Sequence, residues 1–139
     1  MQLRIKATGF KLTAGLKIIA EEKLLAPLEK RMGREFGPEH ILDVELAKTT
    51  QHHEEGRIWK CEVNLALPHE TRTLYAQALS ESLEAAIDEA KDELEREVRE
   101  YKGKRASKFL RSARKLKEYF HFTRLARSAG GLYRWIRRK

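Results

Sequence analysis

The chain has 139 residues, 41% of them hydrophobic and 36% charged, with a net charge of +8. That is enough for one modest core and an appendage. No apolar run approaches the ~20 residues of a membrane span, and the opening "MQLRIKATGF" has no apolar signal core, so a cytoplasmic protein is expected.

"QLRIKAT" alternates: Leu3, Ile5 and Ala7 face one way and Gln2, Arg4 and Lys6 the other, the pattern of a half-buried strand. Gly9 marks a turn, and Thr13 is placed to cap a helix through "AGLKIIAEEKLLAPLEKRMG", with Leu16, Ile19, Ala20, Leu24 and Leu28 on its apolar face. Pro27 falls inside that pattern, where it removes a backbone donor and should kink or divide the helix. Gly33 and "FGP" end it. "ILDVELAK" alternates again, with Leu42, Val44 and Leu46 inward. A polar loop, "TTQHHEEGR", leads to the clearest strand, "IWKCEVNLAL", where Trp59, Cys61, Val63, Leu65 and Leu67 recur at a period of two. "PHET" reads as a hairpin connection and "RTLYAQAL" as the fourth strand.

Leu83, Ala86, Ile87, Ala90, Leu94, Val98 and Tyr101 then form one helical stripe, which Ser80 or Ser82 can cap. The order β-α-β-β-β-α predicts an α+β fold: a four-stranded sheet with two helices packed on one face. A basic helical tail follows. In it Phe109, Ala113, Leu116 and Phe120 keep helical spacing among cations, until Gly130-Gly131 is expected to break the helix.

Charge divides the chain. Residues 101 to 139 hold fourteen Lys and Arg against one acid, Glu118, a net +13, while residues 1 to 100 carry −5. So many cations in so short a stretch repel one another unless something neutralises them, which points to a polyanionic partner.

The element order and three stretches resemble the ribosome hibernation-promoting factor family, also called ribosome-associated translation inhibitors. The stretches are "MQLRIKATGFKLTAGLK", "EEKLLAPLEK" and, most specifically, "AAIDEAKDELEREVREYKGK". The resemblance covers about residues 1 to 105. It implies a ribosome-binding domain that sits on the small ribosomal subunit and its rRNA, in the mRNA and tRNA channel near the decoding centre. There it competes with mRNA and tRNA, inhibits translation and preserves idle ribosomes, without a cofactor and without catalysis. Carried over by position, Lys23 and Lys30 on the first helix and Arg96, Lys102 and Lys104 on the second face RNA. Pro27 departs from the family pattern as an insertion. Ser82-Leu83-Glu84 and Asp92-Glu93-Leu94 stand where many members have Asp-Met-Tyr and Asp-Lys-Leu. Residues 106 to 139 are too short and too basic to be the family's C-terminal dimerisation domain, so pairing through that domain does not carry over.

Lys91, Asp92, Glu95, Arg96 and Arg99 are spaced for i,i+4 ion pairs, which need no ligand. The resemblance alone raises Arg96 and Arg99 toward RNA contact. Lys102, Lys104 and Arg105 have little acid nearby, and phosphate contact is the preferred reading. Residues 106 to 139 read as an RNA-binding extension: Lys108, Arg111, Arg114, Lys115 and Lys117 neutralise phosphate, while Tyr133 and Trp135 can stack on unpaired bases. The alternatives are a basic amphipathic helix on an anionic membrane, aromatics packed on the domain, and a general RNA-binding module or chaperone. Adjacent His52 and His53 read as loop, not as a metal site. The single cysteine, Cys61, excludes an internal disulfide and reads as a buried hydrophobe. No phosphate-binding glycine loop or acid-base pair stands out, so neither an enzyme nor a small-molecule substrate is expected.

Overall fold

The computed structural model describes residues 1–33 and 37–137, with side chains through residue 124. Four strands form one sheet in the order β1 (Gln2–Thr8), β2 (Ile41–Lys48), β3 (Trp59–Ala66), β4 (Leu74–Ser80). β1 pairs parallel to β2, and the other two pairings are antiparallel. The alternation in sequence becomes columns of apolar side chains. One runs Leu3, Leu42, Leu65, Leu74 across the strands, the next Ile5, Val44, Val63, Ala76, and the third Ala7, Leu46, Cys61, Ala78. Nine of these, all those on β2, β3 and β4, are buried.

The helices cover this face. The first begins at α1 (Ala14–Ala20), where the Thr13 hydroxyl accepts from the Leu16 N–H at 3.3 Å. It passes through a π-helical turn, Glu21–Leu25, into α2 (Ala26–Met32). The buried residues explain the turn. Ala20, Leu24, Leu28 and Met32 recur every four residues. At 3.6 residues per turn each step of four overshoots by about 40°, so a regular helix would carry Met32 about 120° off the face. One surplus residue held in a π turn takes back about 100° and restores all four to one side. The Ala26 N–H accordingly reaches the Glu21 carbonyl five residues back. Pro27 then falls at the start of α2, directly after the π turn, where the backbone ladder is already irregular. The expected interruption is present, in the form of a register shift.

The last helix, α3 (Leu83–Arg137), starts under the Ser82 hydroxyl, which accepts from the Ala85 N–H at 3.1 Å. Ala86, Ile87, Ala90, Leu94 and Val98 are buried. The Ser80 hydroxyl is used elsewhere, donating to Glu89 at 3.1 Å. Two details differ from expectation. Trp59 is half-buried, its ring packed edge-to-face on Phe10 at 5.4 Å and approached by Lys48 Nζ at 5.8 Å. The helix also runs through Gly130-Gly131. Each glycine costs about 1 kcal/mol but, unlike proline, keeps its N–H in the ladder. Gly9 does need to be glycine: its φ is +80°, and a Cβ there would meet the Lys48 carbonyl oxygen at 2.9 Å.

The chain divides into two compact units, Met1–Arg99 and Glu100–Lys139. Leu24→Ala should destabilise the first by about 2–5 kcal/mol in chemical denaturation. Deleting Glu22 together with Pro27→Ala should instead leave a cooperatively folding protein, because removing the surplus residue converts the π turn to regular helix with the same face inward.

Candidate nucleic-acid interface

Within Met1–Arg99 the cations singled out from sequence fall into two sets. Lys23 lies on the π turn and reaches both Asp88 oxygens, at 3.0 and 3.1 Å. Arg96 pairs with Glu93 at 2.8 Å. Lys30 and Arg99 are exposed and form no ion pair among the described residues. The i,i+4 ladder expected along α3 is replaced by other partners. Glu95 takes Arg31 of α2 at 3.2 Å, and Glu97 takes Arg72 at 3.7 Å. Glu95 is mostly shielded, so a guanidinium from the neighbouring helix reaches it better than Arg99 on its own helix does. Much of the positive charge that the sequence offers on these helices is therefore locally neutralised.

Within Glu100–Lys139 the balance reverses. Lys104, Arg105, Lys108, Arg111, Arg114, Lys115 and Lys117 are all exposed on α3, and Lys102 is half-buried. Lys104, Lys108, Arg111 and Lys115 follow one another at four, three and four residues, which puts them on one ridge about 16 Å long. Phe122 lies on the same side by spacing, and Tyr119 and Phe120 contact each other at 6.2 Å. Arg114, Lys117, Glu118, Phe120, His121 and Arg124 line a depression of about 540 Å³. Among the described residues one helix provides it, with no opposing wall to enclose a small molecule. The ridge can neutralise phosphates and the aromatics can stack on bases. The side chains of Tyr133 and Trp135 lie outside the described residues.

A model of one protein family, Sigma 54 modulation protein / S30EA ribosomal protein, matches residues 3–106. The chain belongs to this family. The S30EA match takes in the whole sheet and both helices over it, and it stops near the start of the cationic ridge. Two solved structures share the fold. One is the N-terminal domain of Protein Y from Thermus thermophilus, with 22% identity and a TM-score of 0.53, covering 73% of this chain and 99% of that one. The other is a ribosomal subunit interface protein from Coxiella burnetii, with 19% identity and a TM-score of 0.53, covering 74% and 99%. Among curated proteins no sequence matches.

The sheet face away from the helices holds a polar network that the sequence analysis left unassigned, although the outward positions of the alternating strands mark its members. The Tyr75 hydroxyl donates to Glu62 at 3.1 Å and contacts Gln77; Lys60 pairs with Glu62, and the Thr8 hydroxyl donates to Glu45 at 2.8 Å. The Lys60 hydrogen bond holds the Glu62 carboxyl below its ordinary range, and the same bond raises Lys60. Burial, then the bond to Glu62, raises Tyr75. Cations and acids balance on this face, so it offers no net attraction to phosphate. Burial pushes the Cys61 thiol up to about 12, so it stays protonated and is no nucleophile at neutral pH. Among the described residues no cluster of His, Cys, Asp and Glu is arranged to hold a metal, and no helix is long and apolar enough to cross a membrane.

The Lys60–Glu62 pair has a defined pH signature. A lowered Glu62 contributes stability above pH 4.5 that is lost as the pH falls; a raised Lys60 contributes below pH 10.5 and loses it as the pH rises. The stability difference between the wild type and Glu62→Gln should be flat between these limits and shrink outside both, as read by urea unfolding across pH.

Proposed function

We propose that this protein is a ribosome hibernation factor. In this reading the sheet-and-helix domain, residues 1–105, occupies the mRNA and tRNA channel of the small ribosomal subunit near the decoding centre. It blocks translation and keeps idle ribosomes intact in the cytoplasm. The observation that carries the reading is the S30EA family match over residues 3–106. A protein named for the ribosomal subunit interface has the same fold.

The charge arrangement supports a division of labour. Lys30 and Arg99, exposed and without an ion pair among the described residues, are the domain's natural phosphate contacts. Lys23 and Arg96 can join them only by giving up Asp88 and Glu93, an exchange that is cheap because exposed ion pairs contribute about 0–1 kcal/mol. The extension, residues 106–139, adds Lys108, Arg111, Arg114, Lys115 and Lys117, with Tyr133 and Trp135 for stacking. Lys102, Lys104 and Arg105 bridge the two sets along the sequence. No reacting group or cofactor enters this function; it is occlusion held by electrostatics.

The same cations would hold any structured RNA, and a general RNA-binding module is the competing reading. Purified protein should co-sediment with small subunits, inhibit translation in vitro and displace tRNA, and an excess of free structured RNA should not remove it. Undiminished tRNA occupancy in a ternary complex would overturn the channel-blocking mechanism. Truncation after Arg105 should weaken binding most at low salt and flatten the dependence of log affinity on log salt by about 0.7–0.9 for each phosphate no longer neutralised. Tyr133→Ala with Trp135→Ala should cost affinity and leave that slope in place. Unchanged affinity and slope on truncation would remove the extension's RNA role.

A further inference from the structure

The three apolar columns of the sheet are followed by a fourth that the helices leave partly open. In it Lys48 pairs with Trp59 and Trp59 with Ser80, and Gly9 packs against Lys48. Ser80 is buried and spends its hydroxyl on Glu89, but Lys48 and Trp59 are half-buried. Trp59 is not finished as a core residue. A tryptophan that closes a core is covered, and its N–H finds an acceptor. The Trp59 indole N–H has no acceptor among the described residues. Phe10 fixes the ring, standing at 84° to it with centroids 5.4 Å apart, and Lys48 Nζ lies 5.8 Å from its centroid.

The charge beside this ring is available. Lys48, Lys11 next to Phe10, and Arg57 two residues before Trp59 form no ion pair among the described residues. Glu54 and Glu55 are the acids of the same loop, so cations outnumber them. A fixed, half-open aromatic ring with an uncommitted cation over it suits a nucleotide, whose base stacks and whose phosphate takes the ammonium. We propose that Trp59 and Lys48 form a binding site for an unpaired base of RNA and its phosphate. This site presupposes the RNA partner proposed above and adds a contact at the end of the sheet, outside the helix cations already assigned.

Lys48 and the base compete for the ring, and the magnitudes favour the base. A cation over an exposed ring is worth about a two- to fivefold factor in an equilibrium constant, whereas a stacked base is worth about 5- to 150-fold. The base therefore displaces the ammonium, and the flexible lysine stem carries it to the phosphate. The cation–π contact is the resting state of the site. Paired RNA keeps its bases stacked on one another and has no free face to offer the indole. An uncharged apolar partner would cover the ring and leave Lys48 unused.

The chain has two tryptophans, so Trp135→Phe leaves Trp59 as its only indole. Full-length Trp135→Phe protein, freed of nucleic acid, should lose Trp59 fluorescence when titrated with a single-stranded oligouridylate. Duplex RNA of the same length and inorganic polyphosphate should leave the emission unchanged. In that background Lys48→Gln should require several-fold more oligouridylate for half-quenching at 0.05 M salt. It should also lower the slope of log affinity against log salt by about 0.7, one phosphate on a single strand. Lys6→Gln, the same charge change on the opposite face of the sheet, should do neither. Unchanged Trp59 emission with labelled oligouridylate bound would overturn the proposal, as would equal quenching by polyphosphate or equal effects of the two lysine variants. Equal potency of uridine monophosphate would assign the site to a free nucleotide instead. A blue shift on phosphatidylglycerol vesicles without quenching by oligouridylate would assign the ring to lipid. Co-sedimentation with small subunits alongside an unquenched Trp59 would remove this site and leave the occlusion reading standing.

Discussion

One face of the sheet must leave water, and everything else in the Met1–Arg99 unit follows from covering it. Leu42, Val44, Leu46, Val63, Leu65 and Leu74 present a continuous apolar surface. Each such side chain gains about 1.5–3 kcal/mol on full burial. The helices are held by lying on it, and their sequences are shaped by that task more than by helix propensity. The π turn shows the constraint most directly. Backbone regularity yields so that Leu28 and Met32 stay on the sheet side, because losing two buried side chains would cost more than one irregular turn.

The apolar pattern made most of this legible before any coordinates. The alternation in "WKCEVNLA" and "LYAQALS" marked β3 and β4 with their inward residues, and Thr13 and Ser82 stood where caps are needed. What escaped depends on neighbours far along the chain. Lys23 and Asp88 are 65 residues apart, and nothing local marks them as partners. Glu95 chose Arg31 over Arg99 because two helices lie side by side, a fact of tertiary structure. Trp59 shares the inward parity of Cys61, yet its ring ends against Phe10 at the start of its strand. Pro27 announced an interruption, while the spacing of four between Ala20, Leu24, Leu28 and Met32 held the clue to its form.

The candidate interface was legible to a different degree in each unit, for the same reason. In the helix after Glu100 most cations are exposed, so counting charge in the sequence nearly equals counting it on the surface. On the packed helices counting fails, because Asp88, Glu93, Glu95 and Glu97 consume Lys23, Arg96, Arg31 and Arg72. The acid-rich start of α3 thus cross-braces the domain and mutes its positive charge, whereas the later cations, from Lys104 to Lys117, stand exposed. A protein built this way separates shape from attraction. In the function proposed above, the ion-paired domain would supply the shape and the basic helix the attraction.

The sheet's connectivity also sets an order of assembly. Leu65 and Leu74 pair across nine residues, and Lys48 and Trp59 across eleven, whereas β1 reaches β2 only across thirty-nine, from Gln2 to Ile41. Loop-closure entropy grows with the logarithm of that separation, adding about 1.3 kcal/mol between the shortest and the longest of these closures. The parallel pair must also wait for the intervening helix with its irregular turn, since that helix is the crossover. The antiparallel strands can meet early, as local hairpins do, while β1 joins late and is held at the sheet's edge by a single neighbour. Kinetically, the first strand in the sequence is the last to commit.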